Sequence, residues 1–181
     1  MPWWIAGGCA LDLFLDETSR AHTDLDVGVL RRDIADVLAA LPNWDHFEAY
    51  GGALTRLPRG ALPRADVHSL WCRPGGSANW ALEILLDESD GQVWLFRREP
   101  SIRRPLSTLT RSDGSGLRYL APEIQLLYKA KVVRPIDQAD FERVAARLDR
   151  HARSWLRESL ENTSPGHSWL PLLAEFDGVG A

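Results

Sequence analysis

Cysteine is scarce in this chain. Two residues, Cys9 and Cys72, among 181 cannot build a disulfide framework. Also missing are an apolar run long enough to cross a bilayer and a leader of the secretory type, so a cytoplasmic protein with free thiols is expected. There is no basic excess: 21 Lys and Arg stand against 25 Asp and Glu, a net charge of −4 with a pI near 5.7. Without an overall positive field, nucleic acid is not an expected partner, while a cationic substrate would be tolerated. Internal repeats and low-complexity tracts are absent too. What remains is an ordinary globular mixture, 45% apolar and 25% charged, long enough to bury a proper core. The eight tryptophans, scattered from Trp3 to Trp169, read as packing residues rather than one binding stripe.

The pattern along the chain predicts an α/β (α+β) fold. Trp3 to Ala6 is a short apolar run, Gly7-Gly8 a tight turn, and Ala10, Leu11, Phe14 and Leu15 fall at helical spacing, giving a helix from near Cys9. Asp24 to Leu30 alternates acid and apolar residues as a strand does, and Ile34, Val37, Leu38 and Leu41 repeat at helix period until Pro42. Short runs follow at 44–50, 53–57, 67–72, 82–87 and 93–97, separated by Gly, Pro and Asn, and predict a mixed sheet. A hairpin is expected at Ser89-Asp90-Gly91. Helices are expected from Pro122, from Pro135 and around Trp155 to Leu160. These patterns divide the chain into a sheet domain, 1–118, and a helical region packed on it, 119–181, with a Gly-rich tail after Phe176 expected to be mobile.

Side chains of a strand alternate between faces, so Asp24 and Asp26 project from one side. Adjacent carboxylates repel unless a cation lies between them, and Mg²⁺ accepts a few carboxylates together with phosphate oxygens. The glycines ahead of them allow close backbone approach, and the helix that follows aims free N–H groups outward as a phosphate cradle. A third acid is expected from a neighbouring strand. Glu83, set inside the apolar run "ALEILLDES", is favoured, with Asp87 as runner-up and Asp66, which precedes an apolar run, as a third possibility. Arg20 and His22, just before the acids, could reach phosphate. On the first helix of the helical region, Lys131 shares a face with Ile124, Leu127 and Tyr128 and could reach it too, whereas Lys129 points elsewhere. Asp137 and Asp140 fit dipole complementation at a helix start, the arginines at 97, 98, 103 and 104 fit a solvated loop, and Cys72 fits a buried, inert thiol.

The segment "WWIAGGCALDLFLDETSRAHTDLDVGVLRRD", together with "SLWCRP", "WLFRREPSIRRPL", "YLAPEIQLLYKAK" and "PGHSWL", resembles the nucleotidyltransferase family that includes aminoglycoside 2″-adenylyltransferase-like proteins, within the polymerase-β-like superfamily. The resemblance implies ATP or another nucleoside triphosphate, Mg²⁺, and transfer of a nucleoside monophosphate to a hydroxyl of a small acceptor such as an aminoglycoside, with release of pyrophosphate. It places the glycine pair at Gly7 and Gly8, the metal-binding acids at Asp24 and Asp26, and the third acid at Glu83. Arg20 and Lys131 are the further candidate nucleotide contacts. Cys9 departs from the tryptophan common in relatives. A catalytically weak binding module, antitoxin-like or regulatory, is the alternative reading of the same fold.

Overall fold

The structure is a computed structural model and describes residues 2–178. In chain order the elements are β1 (Trp3–Ile5), α1 (Gly7–Leu15), β2 (Leu25–Leu30), α2 (Ile34–Ala40), β3 (Trp44–Tyr50), β4 (Ala53–Arg56), β5 (Ser69–Pro74) and β6 (Leu82–Asp90). They continue with β7 (Val93–Leu95), β8 (Arg103–Pro105), β9 (Thr110–Ser112), β10 (Arg118–Leu120), α3 (Pro122–Lys129), α4 (Pro135–Ala145), α5 (Arg150–Thr163) and α6 (Trp169–Gly178).

One sheet runs in the order β4-β3-β5-β6-β2-β1-β10-β9, and β7 and β8 extend it from the far end of β6. The pairs β2–β6 and β1–β10 are parallel and the rest antiparallel, so the sheet is mixed. The period-two alternation of the strands separates two cores. One face of β2 and β6 sends Val29, Ile84 and Leu86 against Ile34 and Val37 of α2, with Leu70, Cys72 and Val67 alongside. The other face, with Trp4, Leu30 and Leu120, packs on α1 and on α3 to α6, through Leu11, Ile124, Leu127, Phe141, Leu156 and Trp169. Within that core the Phe141 and Trp169 rings stack at 4.2 Å.

Several expectations shift. The helix expected near Cys9 starts at Gly7, because Gly7 itself makes the turn with φ +63. The strand expected at 67–72 is β5, two residues later, since Val67 is buried in the turn closed by its N–H to Arg64. The hairpin loop lies at Gly91-Gln92, between the paired Asp90 and Val93. Helix α6 continues through Phe176 to Gly178, and the remainder of the expected tail lies outside the described residues. The three-residue strands β8, β9 and β10 and helix α6 are additions to the expected set.

Candidate active site

Register brings the acids together. Asp26 on β2 is paired directly with Glu83 on the parallel neighbour β6, which puts both side chains on one face. Asp24 stands in the bend one residue before β2. Each of Asp24, Asp26 and Glu83 offers a carboxylate oxygen, and the three oxygens lie within 4.8 Å of one another, a spacing that a single divalent cation can bridge. All three residues are half-buried. Burial first, then the charges of Glu83 and Asp24, push the Asp26 carboxyl up to about 7, with Lys129 drawing it back down. Such a group favours either a proton or a cation at neutral pH, which is how a donor set suited to a metal behaves. Ser69 Oγ donates to Glu83 Oε1 and fixes its orientation.

The N-terminus of α1 abuts these acids. Ala6 N–H donates to the Asp26 carbonyl at 2.9 Å, so Gly7 follows directly beside the Asp26 side chain. A Cβ on Gly7 would overlap Asp26 Oδ2, and the positive φ would strain it further. Gly7 N–H donates to Gln125 Oε1 at 2.7 Å, a buried bond from α3. The first intrahelical bond runs from Ala10 N–H to the Ala6 carbonyl, which leaves the Gly8 and Cys9 N–H groups without an intrahelical acceptor. Arg20 and His22 lie over Gly8, where a Cβ would overlap Arg20 Nη2 and the imidazole. His22 Nε2 sits 2.8 Å from Asp12 Oδ2, while the other oxygen of that carboxylate, Oδ1, accepts from Ser19 Oγ at 2.6 Å. Burial alone would raise the Asp12 carboxyl, but the hydrogen bonds from Ser19 and His22 outweigh it and hold the group low. Arg20 Nε is buried without a hydrogen-bond partner among the described residues. A helix N-terminus, a guanidinium and three carboxylates therefore meet at one place, as binding of a metal-complexed triphosphate requires.

Gly7→Ala tests how closely this turn is built. The backbone strain alone costs about 1–3 kcal/mol, and the overlap with Asp26 adds to it. A fall in melting temperature of roughly 2–4 °C per kcal/mol is expected, together with weakened nucleotide binding in a titration. An unchanged melting temperature and nucleotide affinity would contradict the stated packing.

Other candidates lie elsewhere. Asp87 sits further along β6, opposite Leu30, where it accepts from Trp94 Nε1 at 3.0 Å and Tyr128 OH at 2.5 Å. Burial pushes its carboxyl up despite those two bonds. Asp66 is exposed, 3.8 Å from Arg64. Lys131 lies beyond the end of α3, exposed, in a cleft with Phe96, Glu99 and Asn162 rather than with the carboxylates. It is Lys129, the last residue of α3, that faces the acids, and its Nζ pairs with Asp137 at 2.8 Å and Asp140 at 3.0 Å. Those two aspartates are almost fully buried and do more than complement a helix dipole. Cys72 is buried, and burial pushes its thiol up to about 12. Gln125 and Ser69 are polar contacts that the sequence pattern does not single out. The one available hint was an amide within the apolar face of α3.

The profile of the family described as aminoglycoside-2″-adenylyltransferase matches residues 1–101, more than half of the chain. No curated protein sequence matches significantly. Among solved structures, the lincosamide antibiotic adenylyltransferase LnuA with lincomycin bound is similar at a TM-score of 0.53 and 14% identity, over 79% of this chain and 85% of that one. ANT(2″)-Ia in complex with adenylyl-2″-tobramycin gives 0.47 and 16%, over 99% and 89%. The likeness to LnuA is one of fold, the polymerase-β-like nucleotidyltransferase fold.

Proposed function

The chain belongs to the aminoglycoside-2″-adenylyltransferase family, and from that membership we propose that it transfers AMP from ATP to a hydroxyl of a small sugar-bearing antibiotic, with Asp24, Asp26 and Glu83 holding Mg²⁺. It is a nucleotidyltransferase. The observation that carries the site assignment is the convergence of three carboxylates beside the open N-terminus of α1. Bound there, Mg²⁺ would neutralise the triphosphate and the charge that develops at phosphorus. The Gly8 and Cys9 N–H groups and Arg20 hold the outer phosphates, the part that leaves as pyrophosphate. Glu83, oriented by Ser69, accepts the proton of the attacking hydroxyl. The acceptor oxygen bonds to the α-phosphorus while the bond from that phosphorus to the pyrophosphate oxygen breaks, so atoms and charge balance. Lys129 is already committed to Asp137 and Asp140 and acts by setting the field at Asp26. Lys131 has no place in this assignment.

The test is pyrophosphate release from each of the four common ribonucleoside triphosphates, with tobramycin or lincomycin as acceptor. Release is expected with ATP and an acceptor, and is expected to stop when EDTA removes the divalent ion. Undiminished release in EDTA, or none with either acceptor, would contradict the proposal.

A further inference from the structure

The row of paired residues that joins Asp26 to Glu83 continues across the sheet. Glu83 is paired with Trp71 on β5, and Trp71 with Phe47 on β3. Directly opposed residues of neighbouring antiparallel strands share a face, so Asp26, Glu83, Trp71 and Phe47 form one line on one side of the sheet. Trp80, from the β5–β6 connection, sets its ring edge-on to both aromatics, 5.2 Å from Phe47 and 5.6 Å from Trp71. Arg73 lies over Phe47 at 5.1 Å and over Trp80 at 4.8 Å, and its Nε is buried without a hydrogen-bond partner among the described residues. These aromatic side chains are only half-buried, although large rings normally dominate a core.

The direction of the reaction says what this platform is for. The N-terminus of α1 adjoins Asp26 at one end of the line, and the aromatics lie at the other end, past Glu83. In phosphoryl-type transfer the attacking and leaving oxygens stand roughly in line on opposite sides of phosphorus. With the leaving pyrophosphate at α1, the attacking hydroxyl must come from the side of Trp71. We infer that Phe47, Trp71 and Trp80 form the acceptor platform, on which a sugar ring stacks by its apolar C–H face and presents a hydroxyl to Glu83. The inference rests on the proposed transfer site. Charge narrows the class. Arg73 places a guanidinium over the Phe47 and Trp80 rings, while the charge of Arg56, opposite Phe47 on β4, is offset by its ion pair with Asp45. Ammonium groups are therefore disfavoured over this end, and the stacked ring is a sugar with few or no amines.

Binding without turnover tests the platform separately from the transfer reaction. Lincomycin, tobramycin and ATP are each titrated by calorimetry onto the wild type, Trp71→Ala, Trp80→Ala and Trp80→Phe. The two antibiotics are run with and without Mg²⁺ and α,β-methylene-ATP, which cannot transfer AMP. Both alanine variants should weaken lincomycin roughly tenfold or more while ATP affinity stays within about twofold, from the worth of an aromatic contact. Trp80→Phe should restore most of the loss, and the wild type should prefer lincomycin to tobramycin. Trp80 lies in a connection outside the strands, so its variants keep the test available if Trp71→Ala does not fold. A loss of ATP affinity in place of lincomycin affinity would make the platform a nucleobase site and overturn the inference. So would unchanged lincomycin affinity in both alanine variants, or a wild type that binds neither antibiotic. Because no AMP need be transferred, failure of the pyrophosphate assay and failure of the platform are read independently.

Discussion

Asp26→Asn is expected to abolish transfer and, at the same time, to stabilise the metal-free protein at pH 8. The folded state holds the Asp26 carboxyl up to about 7, above its ordinary value of 3.8. Its stabilising contribution is therefore fully present below about pH 4 and is lost as pH rises through about 7, where the folded protein must ionise a buried acid beside Glu83 and Asp24. Asparagine removes that ionisation with almost no change of shape. The gain at pH 8 should reach at most about 4 kcal/mol, from roughly three pKa units at 1.36 kcal/mol each. Below pH 4 the two proteins should converge. Activity moves the other way: removing a charged group that acts on the reacting phosphate should cost on the order of a thousandfold or more in kcat. Denaturant melts across pH, paired with pyrophosphate release, read both effects. A destabilised Asp26→Asn at pH 8, or one that retains activity, would contradict the role given to the acids.

The second large effect lies behind the site. Lys129 joins α3 to α4 through Asp137 and Asp140, whose side chains are 2% and 5% exposed, while Lys129 itself is 9% exposed. Lys129→Met leaves Asp137 with Arg134, which donates to it at 2.7 and 3.0 Å, but leaves Asp140 with Arg143 at 3.8 Å and the more distant charge of Arg134. Breaking a buried pair from one side costs about 3–5 kcal/mol, because a charge is left without compensation. Burial alone would raise the Asp137 carboxyl, but Arg134 and Lys129 together hold it well below the usual range. Its contribution is thus present above about pH 4 and lost as the acid protonates below that. The deficit of Lys129→Met should accordingly be largest near neutrality and shrink as pH falls. Adding Asp140→Asn should recover a good part of it in a double-mutant cycle. A loss of less than about 1 kcal/mol at pH 7.5 would show that the triad does not bear on stability in this way.

What the sequence reveals depends on how local the cause is. The strand–helix–strand–helix order is legible because apolar spacing changes from period two to period 3.6 within a few residues. The meeting of Asp24, Asp26 and Glu83 is legible because an acid inside an apolar strand needs a reason, and the reasons converge on one face. The lysine is misjudged because α3 ends at Lys129, so a helical face projected onto Lys131 runs beyond the helix. Helix α6 is obscured by Pro171 in its first turn, and β8 to β10 are too short to show a period. The aromatic line needs cross-strand register between β3, β5 and β6, which no single strand's pattern contains. Gln125 reaches Gly7 across 118 residues of sequence, and no local signal reports such a contact.

A divalent nucleotide site at the three acids is read most simply from the melting temperature of the wild type and Asp26→Asn at pH 8, each with ATP alone, Mg²⁺ alone and both together. A ligand that binds only the folded state stabilises it by about 2.7 kcal/mol at a hundred times its dissociation constant, which for this size is roughly 5–11 °C. Mg²⁺ with ATP should raise the wild-type melting temperature well beyond the sum of the separate ligands, and Asp26→Asn, though more stable without metal, should lose most of that joint shift. Equal joint shifts in the two proteins, or none in the wild type, would contradict a divalent nucleotide site at Asp24, Asp26 and Glu83.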